Sequence, residues 1–141
     1  MSMGVVAVSK EQLCMWDDID PRRPTPLYEQ IAARVRVAIA AGDLKAGDPL
    51  PSVRKLAREL RVNPATVVQA YRDLASDGFV ELRHGQGSFV QEMSDHLKDE
   101  ERAARARQLV QRLLADAARL GIGTDELASA FHTETGAGIR E

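Results

Sequence analysis

Cysteine occurs once in this 141-residue chain, at Cys14. A single thiol excludes an intramolecular disulfide and any zinc site built from several cysteines; its plain reading is an incidental thiol in a leader. Histidine is nearly as scarce, and His84, His96 and His132 lie far apart. They lack HExxH spacing, and neither a glycine-rich phosphate loop nor a pair of catalytic carboxylates accompanies them. The expectation is that the chain is not an enzyme and uses no cofactor and no metal. Missing too is any apolar run long enough to span a bilayer. The first residues also lack the basic-then-apolar order of a secretory signal. A cytoplasmic protein with no membrane partner is expected.

The formal net charge is -2, which argues mildly against a nucleic-acid partner until it is divided along the chain. Residues 26–90 carry nine Lys and Arg against seven Asp and Glu, whereas 1–25 carry three against four and 91–141 seven against ten. The only positive stretch is the middle one. Its excess is small, so affinity for an anionic partner should depend on where the arginines point and on two copies acting together.

That middle stretch has the strongest local signals. Ser52 suits a helix N-cap, and Val53, Leu56, Ala57 and Leu60 recur three and four apart, giving one apolar stripe with Arg54, Lys55, Arg58 and Arg61 off it. Leu60-Arg61-Val62 forms a turn with Val62 dipping inward. A second helix then begins with Asn63 as cap and Pro64 at the first helical position. Stepping 100° per residue from Val67 puts Ala70, Tyr71 and Leu74 inside and Ala65, Gln69, Arg72 and Ser76 outside, with Thr66 and Val68 flanking. Gly78 ends this helix. Phe79, Val80 and Leu82 form a strand, His84-Gly85-Gln86-Gly87 a turn, and Ser88-Phe89-Val90 the return strand. Helix, turn, helix and hairpin in that order make a winged helix-turn-helix. The outward face of small and hydrogen-bonding residues suits a major groove: Gln69 could pair with adenine, and Ala65 or Val68 could touch a thymine methyl. Taken alone it reads equally as a solvated helix face, and His84 as an ordinary turn histidine. At the wing tip, Arg83, His84, Gly85 and Gln86 are placed to approach a sugar-phosphate backbone or minor groove.

The residues from Pro26 to Val90, with the motifs LPSVRKLA, VNPATV, AYRDL, GFVE and GQGSFV, resemble the N-terminal domain of the GntR family of bacterial transcription regulators. The NPATV turn, the AYRDL helix and the short remainder after Val90 resemble the YtrA-type subfamily. The resemblance implies that Arg54, the segment Asn63, Pro64, Ala65 and Thr66, and the tip His84-Gly85 lie at DNA. One departure matters: many relatives carry arginines where this chain has Pro64 and Val68. Readout by those two arginines does not carry over, so Arg54, Thr66, Gln69 and the wing must do more. With Ser52, Arg72, Arg83 and Gln86 these form the candidate DNA-binding set.

Upstream, Met1 to Leu13 shows no period and reads as a leader. Met15-Trp16-Asp17-Asp18-Ile19-Asp20 resembles the usual start of YtrA-type chains, making Met15 a candidate alternative start. Trp16 and Ile19 are expected to pack on the first helix or on a partner chain, and Asp20 to Pro24 to form a turn or connector. Thr25 is expected to cap a scaffold helix, with Pro26 first and Leu27, Ile31, Val35 and Ile39 on its inner side; Arg34 and Arg36 point outward as solvated charges, with a phosphate contact by one of them the alternative, and Gly42 stops it. Leu50 adds a short third strand to the wing.

Downstream, Ser94 or Asp95 caps a long helix to Leu120. Ala103, Ala106, Val110, Leu113, Ala117 and Leu120 are spaced three and four apart, a heptad-type seam widened by Leu109 and Leu114. Thr124 caps a last helix to about Phe131, with Leu127, Ala128 and Phe131 on one face. Such a seam needs a partner. A second copy is preferred, paired through Ala106, Val110, Leu113, Leu114, Ala117 and Leu120, although an intrachain helical cap on a monomer stays open.

The expectation is thus a mainly α fold with a small β wing: a leader and connector over 1–24, a winged helix-turn-helix over 25–91, and a short two-helix dimerisation region over 92–141. The expected function is a sequence-specific transcriptional repressor that binds a palindromic double-stranded DNA operator as a homodimer. The alternative is a winged-helix module for protein-protein contact. About 50 residues after the wing are too few for a buried ligand pocket within one chain, so any small-molecule effector would sit at the dimer interface or between the domains.

Overall fold

The computed structural model describes residues 15–92 and 97–136. The chain divides into two compact units, residues 1–93 and 94–141.

In the first unit, α1 (Leu27–Ala41), α2 (Val53–Leu60) and α3 (Pro64–Ser76) precede a hairpin of β1 (Val80–Arg83) and β2 (Gly87–Val90). Both α1 and α2 pack on α3. The core holds Ile31, Val35, Leu56, Val67 and Leu74, all fully buried, with Ala70, Tyr71, Val80 and Val90 around them. The helical stripes predicted for α2 and α3 therefore face inward. Trp16 and Leu50 join the same core, and Ile19 packs against it.

The caps explain where the helices begin. Ser52 Oγ accepts the Lys55 N–H at 3.0 Å, and Asn63 Oδ1 accepts the Ala65 N–H at 2.8 Å with Pro64 at the first position. The expectation for α1 needs correcting: its N-cap is Pro26, not Thr25. The Thr25 carbonyl instead accepts from Gln30 Nε2 at 2.8 Å. Gln30 is buried, and its amide holds the connector in place. Nε2 also donates to the Asp20 carbonyl, and Oε1 accepts from the Asp20 N–H and from Arg23 Nη2, each at 2.9 Å.

Arg34 and Arg36 do not simply point outward. Arg34 Nε donates to the Met15 carbonyl at 3.2 Å. Arg36 pairs with Asp77 at 3.0 Å and lies over the Phe79 ring. They fasten the segment before α1 and the end of α3 to α1.

The hairpin pairs Val80 with Val90 and Arg83 with Gly87. Gly87 is thus the first residue of β2, and the loop is His84-Gly85-Gln86, closed by the Gln86 N–H on the Arg83 carbonyl at 2.9 Å. Gly85 and Gly87 have φ of +75° and +114°, backbone that a side chain would strain. The expected third strand is a single bridge between Pro49 and Phe89, flanked by the Leu50 N–H on the Ser88 carbonyl at 2.9 Å.

The second unit holds α4 (Asp99–Arg119) and α5 (Thr124–Thr135). α4 starts later than expected, after Lys98, whose N–H reaches Glu101 Oε1 at 3.3 Å; Ser94 and Asp95 lie outside the described residues. α5 is capped by Gly123 and not Thr124, because Glu126 reaches back to the Gly123 N–H at 2.9 Å. It runs past Phe131 to Thr135. No described helix is long and apolar enough to cross a membrane.

Candidate nucleic-acid interface

The site is built on α3. Burial of Val67, Ala70, Tyr71 and Leu74 fixes its rotation, and the opposite side then carries Ala65, Gln69, Arg72 and Ser76, all exposed. Thr66 and Val68 sit half-buried at the edges. The N-terminal end carries no bulky side chain: Asn63, Pro64 and Ala65 are exposed and small, which lets a helix end enter a groove. Asn63 spends its side-chain oxygen on its cap and keeps its amide N–H groups as donors. Gln69 Nε2 is held by Asp73 Oδ1 at 3.0 Å, so a base contact would trade away one exposed hydrogen bond.

Tyr71 ties α3 to the approach of α2. Its hydroxyl donates to the Pro51 carbonyl at 2.7 Å, one residue before Ser52. Burial, then the charge of Glu59, pushes the phenol above its ordinary range, so it stays a neutral donor. The bond fixes the start of α2, and with it Arg54, relative to α3. Ser52 Oγ accepts from backbone and keeps its own hydrogen to donate.

At the wing, His84, Gly85 and Gln86 are exposed at the turn. Arg83 differs from expectation: its guanidinium lies 4.1 Å from the Phe89 ring centroid and reaches Glu81 at 3.3 Å. It stiffens the hairpin and leaves His84 and Gln86 as the outward tip. Cross-strand pairing of Glu81 with Phe89, two residues from Arg83, is the sequence signal that could have shown this. Arg34 had a signal as well, since stepping about 100° per residue from Leu27 puts it about 20° from Leu27, beside the arc of Ile31, Val35 and Ala38; Gln30 falls outside that arc, and its spacing gives no such signal.

The cations of residues 26–90 fall into two groups. Arg34, Arg36 and Arg83 have intramolecular partners. Lys45, Arg54, Lys55, Arg58, Arg61 and Arg72 are exposed, and none forms an ion pair or side-chain hydrogen bond among the described residues. All but Lys45 lie between residues 54 and 72, within the helix-turn-helix. Among the described residues no group of three or more His, Cys, Asp or Glu could hold a metal ion.

In the second unit the seam is open. Leu109, Val110, Leu113, Leu114, Leu120 and Phe131 are 40–75% exposed, and Ala106 is exposed too. Ala117 alone among the seam residues is already buried within the chain.

The family model for bacterial regulatory proteins of the gntR family matches residues 27–90. The chain is 36% identical over 109 residues to the HTH-type transcriptional repressor YtrA of Bacillus subtilis (strain 168), covering 77% of this chain and 84% of that protein. It belongs to the GntR family. Within the GntR family its likeness is to the YtrA type. It superposes on YtrA from Sulfolobus acidocaldarius, a GntR-family transcription factor, with a TM-score of 0.51, 33% identity, and 85% and 97% of the two chains covered. A GntR family regulator from Listeria monocytogenes gives a TM-score of 0.54 at 29% identity, covering 81% and 97%. This GntR chain is a DNA-binding transcriptional regulator with a winged helix.

Proposed function

We propose that this GntR regulator is a cytoplasmic repressor without enzymatic activity, which binds a palindromic operator as a homodimer. The observation that carries the DNA side is the exposed face of α3 beside partnerless cations at Arg54 and Arg72, on a rotation set by a fully buried opposite side. In this reading the N-terminal end of α3 enters the major groove, where Thr66 and Gln69 meet base edges and Asn63 and Arg72 meet the backbone. Ser52 and Arg54 clamp the adjoining phosphates, Pro64 and Ala65 allow close approach, and His84, Gly85 and Gln86 lie on the flanking backbone or minor groove. Arg83 serves by holding the wing in shape.

Pairing is supported by the uncovered seam of α4. An apolar strip containing Val110, Leu113, Leu114 and Leu120 on one helix costs free energy in water, and a second α4 would cover it with the same residues by two-fold symmetry. Alanine at Ala106 lets two helices approach closely. Two copies then place two α3 helices on half-sites about one helical turn apart, and occupation of a promoter represses it. The YtrA relative carries the name of a repressor, which supports that sign.

The test is selection of fragments from the source genome by the purified chain, with the mass of the resulting complex measured. Two chains on one palindromic site support the proposal. One chain per site removes the homodimer, and loss of every fragment removes operator binding.

A further inference from the structure

The helix before the recognition helix carries a charge pattern that base readout by α3 does not use. Arg54 and Arg58, four residues apart, share one side of α2, and Arg61 follows three residues on at its C-cap. Each is exposed and lacks a side-chain partner among the described residues. The single acid of α2, Glu59, lies off this row. Arg61 adds a second, independent observation. It has φ 60° and ψ 47° and is the only non-glycine residue with positive φ among those described. Glycine adopts that conformation without strain, so a strained arginine there points to a use for its side chain.

We propose that this row is a phosphate track: Arg58 and Arg61 continue the contact begun at Arg54, along the DNA backbone beside the groove that α3 enters. The first helix of a helix-turn-helix crosses the backbone in this manner, and a line of three uncompensated guanidinium groups matches a line of phosphates by charge and by its hydrogen-bond donors. Base identity is not read by these residues. They add affinity to every sequence equally and make binding salt-dependent. The row offsets the modest net charge of the unit by setting three uncompensated cations along α2 and its cap. This inference rests on the DNA-binding function of the chain.

The test uses the full chain and an operator fragment recovered by genomic selection, titrated between 50 and 200 mM salt. Arg58→Gln and Arg61→Gly each remove one phosphate contact per chain, so the slope of log affinity against log salt falls by about 1.8 for two bound copies. The ratio of affinities at the two salt concentrations then shrinks by about 10-fold. Arg58→Lys keeps the slope close to wild type. Arg22→Gln, which removes the same charge from the connector, leaves the slope unchanged. Arg61→Gly melts at or above the wild-type temperature, which excludes unfolding as the cause of weaker binding. Slopes of Arg58→Gln and Arg61→Gly equal to wild type, or shifted no more than in Arg22→Gln, overturn the track alone. Wild-type protein that retains no genomic fragment overturns the DNA reading and the track with it.

Discussion

Replacing Tyr71 by phenylalanine removes one oxygen and leaves the ring in place. The ring is buried in the core, and the hydroxyl has one partner, the Pro51 carbonyl at 2.7 Å. A net hydrogen bond of this kind contributes about 1 kcal/mol, which for a unit of this size corresponds to about 4–8 °C in melting temperature. Ionisation adds a second signature. The folded phenol is held above its ordinary range, by burial first and by Glu59 second, whereas the unfolded tyrosine titrates near pH ~10. The folded state therefore holds its proton where the unfolded state releases it, and stability falls as pH rises past the unfolded value. The contribution of Tyr71 is complete below pH ~10 and declines by about 1.4 kcal/mol for each further unit of pH. The phenylalanine variant has no such dependence. Urea melts at pH 7, 9 and 11 should show the wild type ahead by about 1 kcal/mol at the first two values, with the gap closed or reversed at the third. Other titrating groups are common to both proteins and cancel in the difference. A variant as stable as wild type at pH 7, or a gap that persists unchanged at pH 11, would refute the reasoning.

Three further outcomes are expected. Gln30→Ala removes the amide that joins Asp20, Arg23 and Thr25 to α1 and should cost about 2 kcal/mol; limited proteolysis should then cut the connector at residues 17–25 first. Leu113→Asp, at a half-exposed position, should leave the melt of the single chain nearly unchanged while halving the mass found by light scattering; an unchanged mass would leave the seam without its role. Arg54→Ala should weaken operator binding by about 1–3 kcal/mol, measured by titration, and wild-type affinity in that variant would remove Arg54 from the interface.

The parts of the fold that were legible in the sequence are those set by neighbours within a turn or two. Ser52 and Asn63 each accept from a backbone N–H two or three residues away, and the rotation of α3 follows from the spacing of Val67, Ala70, Tyr71 and Leu74. What escaped depends on partners distant in sequence. Arg36 looked like a solvated charge because Asp77 lies 41 residues further on, and Arg34 because the Met15 carbonyl precedes it by 19. Thr25 and Thr124 were natural caps by residue type, but Gln30 takes the Thr25 carbonyl and Glu126 reaches the residue before Thr124. For the interface, spacing sufficed to find the exposed face of α3 and the open seam of α4. It did not show that Arg83 folds over Phe89, a contact made by strand pairing, or that the turn at Arg61 adopts left-handed backbone.

The most direct test of the central claim is hydroxyl-radical footprinting of the purified chain on the fragment it selects from its genome. Two protected segments related by two-fold symmetry, about one helical turn apart and weakened together by Arg54→Ala, are predicted. A single protected segment, or protection that Arg54→Ala leaves intact, would contradict a paired winged helix-turn-helix acting through α2 and α3.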